Sequence, residues 1–190
     1  MAAASYGLPD LGVTTLENVL IDAKRITSAT SLPLLVDIDT GWGDFDAISN
    51  TIIEMGNANV AAVHIEDQIF DKRCGHRPNK QLVSIAEMQD RLKAALDAKI
   101  DDSFFIMART DALASEGIEK AIERCGKYLD VGADGIFFEA AVSIEEYKEF
   151  KNNFSAPLLA NITEFGKTPL FTQKELSDVG VDMVLYPLTA

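Results

Sequence analysis

Leu32-Pro33-Leu34-Leu35-Val36-Asp37-Ile38-Asp39 is apolar at nearly every position until it closes on two carboxylates two residues apart. A strand that is apolar at consecutive positions is covered on both faces, as strands of parallel sheets are; a half-exposed antiparallel strand alternates instead. Five more stretches of this kind follow, at 60–67, 104–110, 135–140, 157–163 and 183–188. Amphipathic helix patterns lie before and between them at 14–26, 44–55, 85–98, 116–129, 144–150 and 172–179. Ser84 with Glu87 and Ser143 with Glu146 read as capping boxes that start two of these helices.

Strand, helix and strand recurring at this spacing are βα units, so the chain is α/β. No G-x-G-x-x-G turn opens the first unit, which disfavours a doubly wound nucleotide fold. A (β/α)8 TIM-type barrel averages about 250 residues. The 190 residues read as one barrel domain over 1–190 holding six of the eight strands, and the pattern opens on a helix and closes on a strand. The expectation is therefore an incomplete barrel, truncated at both ends.

With 17 Lys and Arg against 30 Asp and Glu, the net charge of −13 argues against a nucleic-acid partner, which needs clustered cations to neutralise phosphates. The same charge disfavours an anionic membrane surface. No apolar run approaches the roughly 20 residues of a membrane span, and no basic-then-apolar leader is present. Two cysteines, Cys74 and Cys125, are too few for a disulfide framework and fit a reducing, cytoplasmic setting.

Active sites of barrels sit at the carboxyl ends of the strands, and residues two apart share a face. That rule collects Asp37 and Asp39, His64 and Glu66, Arg109 and Asp111, Glu139, and Asn161 with Thr163. Carboxylates crowded at one mouth repel unless a cation or a proton relieves them. Hard oxygen donors with room for water suit Mg²⁺ or Mn²⁺, with Asp37 and Asp39 as the candidate ligands; Cys74 and His76 keep zinc a minor option. Arg109 is the candidate grip for an anionic substrate, and an ion pair with Glu66 or Glu139 is its structural alternative. His64 is equally readable as a core or a catalytic histidine.

The interval 68–81 is long and polar and contains Lys72-Arg73-Cys74-Gly75-His76-Arg77, cationic surroundings that favour a reactive thiol. Cys125 falls mid-helix and reads as a small buried hydrophobe. No G-x-S-x-G elbow, Walker loop or H-E-x-x-H is present.

These motifs resemble the isocitrate lyase and phosphoenolpyruvate mutase superfamily over essentially the whole chain. The carriers are Gly7-Leu8-Pro9-Asp10-Leu11-Gly12, Val36-Asp37-Ile38-Asp39-Thr40-Gly41, His64-Ile65-Glu66-Asp67-Gln68, the stretch from Lys72 through Lys80, Ala108-Arg109-Thr110-Asp111, and Asn161-Ile162-Thr163-Glu164-Phe165-Gly166. The Arg77-Pro78-Asn79 continuation looks like the methylisocitrate lyase branch. The resemblance implies a Mg²⁺-dependent retro-aldol cleavage of a small tricarboxylate, 2-methylisocitrate, to pyruvate and succinate in propionate breakdown by the methylcitrate cycle. It gives Asp37 and Asp39 to the metal and Cys74 to general-acid catalysis, with Glu66, His76 and Arg109 also catalytic. It gives Cys74, Gly75, Arg109, Glu139, Asn161, Ile162 and Thr163 to substrate binding, and a homotetramer as the assembly. Glu66 orients Arg73 or holds a water beside the metal. Family members also carry an upstream Ser-Gly-Gly turn with a nearby tyrosine and a downstream arginine, none of which occurs here. A related superfamily lyase or decarboxylase (acting on isocitrate, dimethylmalate or oxaloacetate) and a non-catalytic barrel fragment are the competing readings.

Overall fold

A computed structural model of the chain describes residues 2–9, 11–70, 72, 74–76 and 79–187. Asp10, Arg73, Arg77, Pro78 and Leu188, all read above as parts of motifs or of the last strand, lie outside the described residues. The elements run α1 (Ala2–Tyr6), α2 (Leu16–Ala29), β1 (Leu35–Asp37), α3 (Phe45–Asn57), β2 (Ala62–Glu66), α4 (Ile85–Asp97) and β3 (Phe105–Thr110). They continue with α5 (Leu113–Glu116), α6 (Ile118–Val131), β4 (Gly135–Phe138), α7 (Ile144–Asn153), β5 (Leu158–Asn161), α8 (Gln173–Asp178) and β6 (Met183–Leu185). All six expected strands and all six expected helices are present, the strands shorter than read at one or both ends.

The strands form one parallel sheet in the order β1-β2-β3-β4-β5-β6. Strand order equal to chain order is the wall of a barrel; a doubly wound sheet reverses its order partway. One face meets the helices: Val63, Ile65, Ile106, Ala108, Ile136, Phe138, Leu158 and Ala160 pack with Ile48, Ile52, Met88, Leu92, Tyr147 and Phe150. The other face carries Met107, Phe137 and Leu159, packed with Leu35, Phe105, Met183 and Leu185. Both faces are thus apolar, which is why the strands read as continuous runs, and each fully buried side chain of this size contributes about 1.5–3 kcal/mol.

Local signals set the helix ends. Ser143 and Glu146 form the expected reciprocal box, and Thr15 with Asn18 and Thr172 with Glu175 add two more. At Ser84 only half of the expected box forms: its hydroxyl accepts from the Glu87 amide at 3.1 Å, while Glu87 Oε1 turns to Arg91 at 2.7 Å. The buried Arg91 also donates to the Gln68 carbonyl at 2.8 Å, so that carboxylate is better used neutralising it than closing a cap.

The long interval after β2 is pinned at its root. Ile69 N–H donates to Gln81 O and Val83 N–H to Asp67 O, which brings the two ends of the excursion together at the carboxyl side of the sheet.

Candidate active site

Register places the inner-face residues in layers. Asp37 lies beside His64, and Glu66 beside Arg109. Arg109 in turn lies beside Phe137, whose ring stands 5.0 Å from the guanidinium carbon and 4.9 Å from the His64 ring. Above this apolar floor the ends of β1, β2, β3 and β5 bring polar groups together.

Arg109 is the centre. Its Nε donates to Asp111 Oδ2 at 3.0 Å and its Nη2 to Asp111 Oδ1 at 3.3 Å. Glu66 Oε2 lies 3.3 Å from Nη2, and Glu139 Oε2 lies 4.0 Å from Nε. The ion pairs considered from sequence are both present, and a third, shorter one joins them. Asn161 Nδ2 donates to Glu139 Oε2 at 3.4 Å, and Thr163 Oγ1 to Asn161 Oδ1 at 2.9 Å. Ile162 sits differently: its side chain is in the helix-facing core and its N–H donates to Leu185 O at 2.8 Å.

The loop covers this cluster. Gly75 approaches so closely that a Cβ there would stand 2.5 Å from Glu139 Cγ, 2.6 Å from Arg109 Nη2 and 2.7 Å from Asp111 Oδ1. His76 Nε2 is 2.9 Å from Glu139 Oε1, out of line for a hydrogen bond, and its Nδ1 accepts from the Lys167 amide at 2.9 Å. Lys80 Nζ donates to Asp111 Oδ1 at 3.0 Å and to the Gly75 carbonyl at 2.6 Å. Cys74 stands half-buried in this turn, a free thiol, whereas Cys125 is fully buried and pushed well up by burial.

Charge in so dry a place has to balance. Burial pushes the Glu66 carboxyl well above the usual carboxylate range, against the pull of Arg109 and with the push of Asp111. Burial also opposes ionisation of Asp111, but Arg109 and Lys80 outweigh it and hold that carboxyl low. Burial opposes the Arg109 charge as well, and the surrounding carboxylates, Asp111 foremost, overcome it. Three carboxyl groups, Glu66, Asp111 and Glu139, thus face Arg109 and Lys80, and burial works against the charged form of Glu66.

Beside this centre, Asp37 Oδ1 accepts from the Asp39 amide at 2.9 Å and lies 3.5 Å from His64 Nδ1. Asp39 has left the strand in a left-handed conformation, φ 48°, and its Oδ1 meets Lys72 Nζ at 2.6 Å. Asp37, whose side chain remains 46% exposed, is drawn down to about 2 because His64, Arg109 and Lys72 outweigh its partial loss of hydration. Burial, opposed by Asp37, lowers His64. Among the described residues no group of three or more His, Cys, Asp and Glu side chains is set to chelate an ion. A Mg²⁺ ion needs no such cage, since it keeps several waters and takes one or two carboxylates. The donor set fits it: two hard carboxylates at the end of β1 and just beyond it, with both Glu66 oxygens buried and accepting no hydrogen bond.

Sequence reasoning collected Asp111 with Arg109 and Lys72 with the cations around Cys74 but gave neither a partner, and it assigned Lys80 no role. Each was visible as a charge in a quoted motif, but the partners of Lys80 and Lys72 lie 31 and 33 residues away, a separation that local pattern does not carry.

The fold and this cluster define a protein of the parallel α/β barrel class, with a buried group of charged side chains at the carboxyl ends of its strands. The chain belongs to the phosphoenolpyruvate phosphomutase family, whose model matches residues 1–189. It is 61% identical over 188 residues to 2-methylisocitrate lyase of Shewanella oneidensis, and 55% identical over 192 residues to that of Escherichia coli. Those matches cover 99% and 100% of this chain and 64% of each relative, so the chain spans just under two thirds of their length. Among solved structures it superposes on 2,3-dimethylmalate lyase with TM-score 0.94 and 35% identity, covering 98% of this chain and 63% of that one. A phosphonopyruvate hydrolase complex with oxalate and Mg²⁺ matches with TM-score 0.83 and 28% identity, covering 97% and 64%.

Proposed function

We propose that the chain carries the strand-end machinery of a carbon–carbon lyase that cleaves 2-methylisocitrate to pyruvate and succinate. The observation that supports this reading most is the buried Arg109, held among Glu66, Asp111 and Glu139 directly beneath Gly75. A base, a role assigned to no residue of this chain, takes the proton of the carbinol hydroxyl; its O–H electron pair forms the C=O of the keto acid as the bond to the neighbouring carbon breaks and leaves an electron pair on the succinate carbon, spread onto its carboxylate. A guanidinium in a water-excluded site stabilises that developing charge. Burial disfavours a charged Glu66, which leaves more of the Arg109 charge for an incoming carboxylate. Asn161 and Thr163 offer an amide and a hydroxyl to a second carboxylate, with His76 beside them across Glu139. Cys74 Sγ–H supplies the proton that the carbanion takes up, and the thiolate left behind lies in a turn flanked by Lys72 and His76. Asp37 and Asp39 would hold Mg²⁺ or Mn²⁺, which as a Lewis acid supplies polarisation of the substrate's hydroxyl and carboxylate oxygens. A soluble homo-oligomer acting in the cytoplasm completes the proposal; among the described residues no helix is long and apolar enough to cross a membrane.

The test is coupled release of the 2-oxo acid with Mg²⁺ (glyoxylate from isocitrate, pyruvate from 2-methylisocitrate, 2,3-dimethylmalate and oxaloacetate), beside a Cys74→Ser variant. Preference for 2-methylisocitrate, lost in Cys74→Ser, supports the reading. Faster release from another of the four, or an unaffected variant, contradicts it.

A further inference from the structure

Catalysis by a residue on a loop requires that the loop be held, and the Cys74–Gly75 turn is a polar segment with no regular structure of its own. What holds it is visible from below. Lys80, whose side chain is 2% exposed, reaches the Gly75 carbonyl at 2.6 Å and Asp111 Oδ1 at 3.0 Å. Asp111 is fully enclosed and uses its two oxygens on Arg109 as well. Asp111 is itself anchored from the helix side: its N–H donates to Asp67 Oδ1 at 2.9 Å. The other Asp67 oxygen accepts from Thr110 Oγ1 at 2.7 Å and from Tyr128 Oη at 2.8 Å. The chain of contacts therefore runs from α6 through Asp67 and Asp111 to Lys80, and ends on the carbonyl of Gly75, the residue that follows Cys74.

We propose that Lys80 and Asp111 are a positioning pair that holds the Cys74–Gly75 turn against Arg109. Lys80 is placed by Asp111, and it carries the turn by its carbonyl; neither residue is assigned a contact with substrate. An ammonium suits this task because it donates to two acceptors at once in a place too crowded for water. Both bonds are charge-assisted, the stronger kind, and Asp111 sits on an element end that the sheet and Asp67 fix. The same Asp111 oxygens orient Arg109, so the proton donor and the anion grip share one anchor. The functional consequence rests on the lyase reading, whereas the holding of the turn is independent of it.

The test is amide hydrogen exchange of peptides spanning 70–80 in the parent and in Lys80→Met, with peptides from α4 and α6 as internal references. Loss of two charge-assisted bonds is expected to speed exchange in 70–80 by about tenfold or more while the references stay unchanged. Lys80→Arg, which keeps the charge but not the reach of a single ammonium, is expected to fall between. In pyruvate release, Lys80→Met is expected to lower kcat by about tenfold or more with KM moved less than threefold, since Arg109 still grips substrate. Unchanged exchange in 70–80 in a folded Lys80→Met protein overturns the proposal. If Lys80→Met speeds exchange in the references too, Lys80→Arg decides, and parent-like exchange there overturns it. Faster exchange in a parent that releases no pyruvate leaves the pair standing and removes the lyase reading.

Discussion

Gly75→Ala puts one methyl group where none fits. Its Cβ would arrive 2.5 Å from Glu139 Cγ, 2.6 Å from Arg109 Nη2 and 2.7 Å from Asp111 Oδ1. An ordinary contact between carbon atoms is about 3.5 Å, so something has to give by roughly 1 Å. Two things can: the buried charge cluster or the turn. Parting a desolvated, fully paired cluster costs about 3–5 kcal/mol, and its members stand on or just beyond sheet strands. The turn lies over the rim and yields first. Displacing a catalytic group by about 1 Å costs on the order of 100-fold in rate, or about 2.7 kcal/mol of transition-state stabilisation. The expected outcome is a kcat/KM for pyruvate release down about 100-fold, with the thermal midpoint by circular dichroism moved by less than about 3 °C, because the lost contact lies outside the main core. A variant within threefold of parent activity refutes the reasoning, and so does a midpoint lowered by more than about 8 °C, which means the cluster gave way instead.

Tyr128→Phe removes the hydroxyl that donates to Asp67 at 2.8 Å and accepts from Arg124 at 3.1 Å; urea unfolding is expected to show a loss of about 1–2 kcal/mol with m unchanged, and a loss under about 0.3 contradicts the account of that network. Ser143→Ala opens the reciprocal box at the start of α7 and is expected to cost about 1 kcal/mol in the same assay. Glu116 is held below its ordinary value by its hydrogen bonds to Arg124, at 2.7 and 2.8 Å. Because the folded value is the lower one, the stability this pair contributes is complete above the unfolded carboxylate range and is lost as pH falls through the folded value. Glu116→Gln is therefore expected to flatten the acid limb of the urea midpoint below pH about 4.5 while the parent declines there; parallel limbs contradict it.

The fold was legible because both sheet faces are apolar: runs such as 60–67 and 104–110 could be nothing but covered strands, and helices between them announced themselves by caps. Residues two apart at strand ends led directly to Glu66, Arg109, Glu139, Asn161 and Thr163, which the structure gathers around one guanidinium. Legibility failed where pairing is long-range. Asp111 was collected beside Arg109, but its other partner, Lys80, lies 31 residues away, and Glu87 looks like a cap partner until Arg91, held by the Gln68 carbonyl 23 residues off, claims it. Gly75 was read from the resemblance, but the reason for a glycine there, three side chains within 2.7 Å of an absent Cβ, exists only in three dimensions.

The central claim is cleavage at a site where Cys74 delivers the proton, and NMR of the products formed from 2-methylisocitrate in D₂O with Mg²⁺ tests it most directly. A thiol exchanges its hydrogen with solvent, so the account predicts equimolar pyruvate and succinate, with one deuterium on each succinate methylene carbon that was protonated, and no such succinate from Cys74→Ser. Succinate formed without deuterium, or a folded protein that leaves the substrate intact, would contradict it.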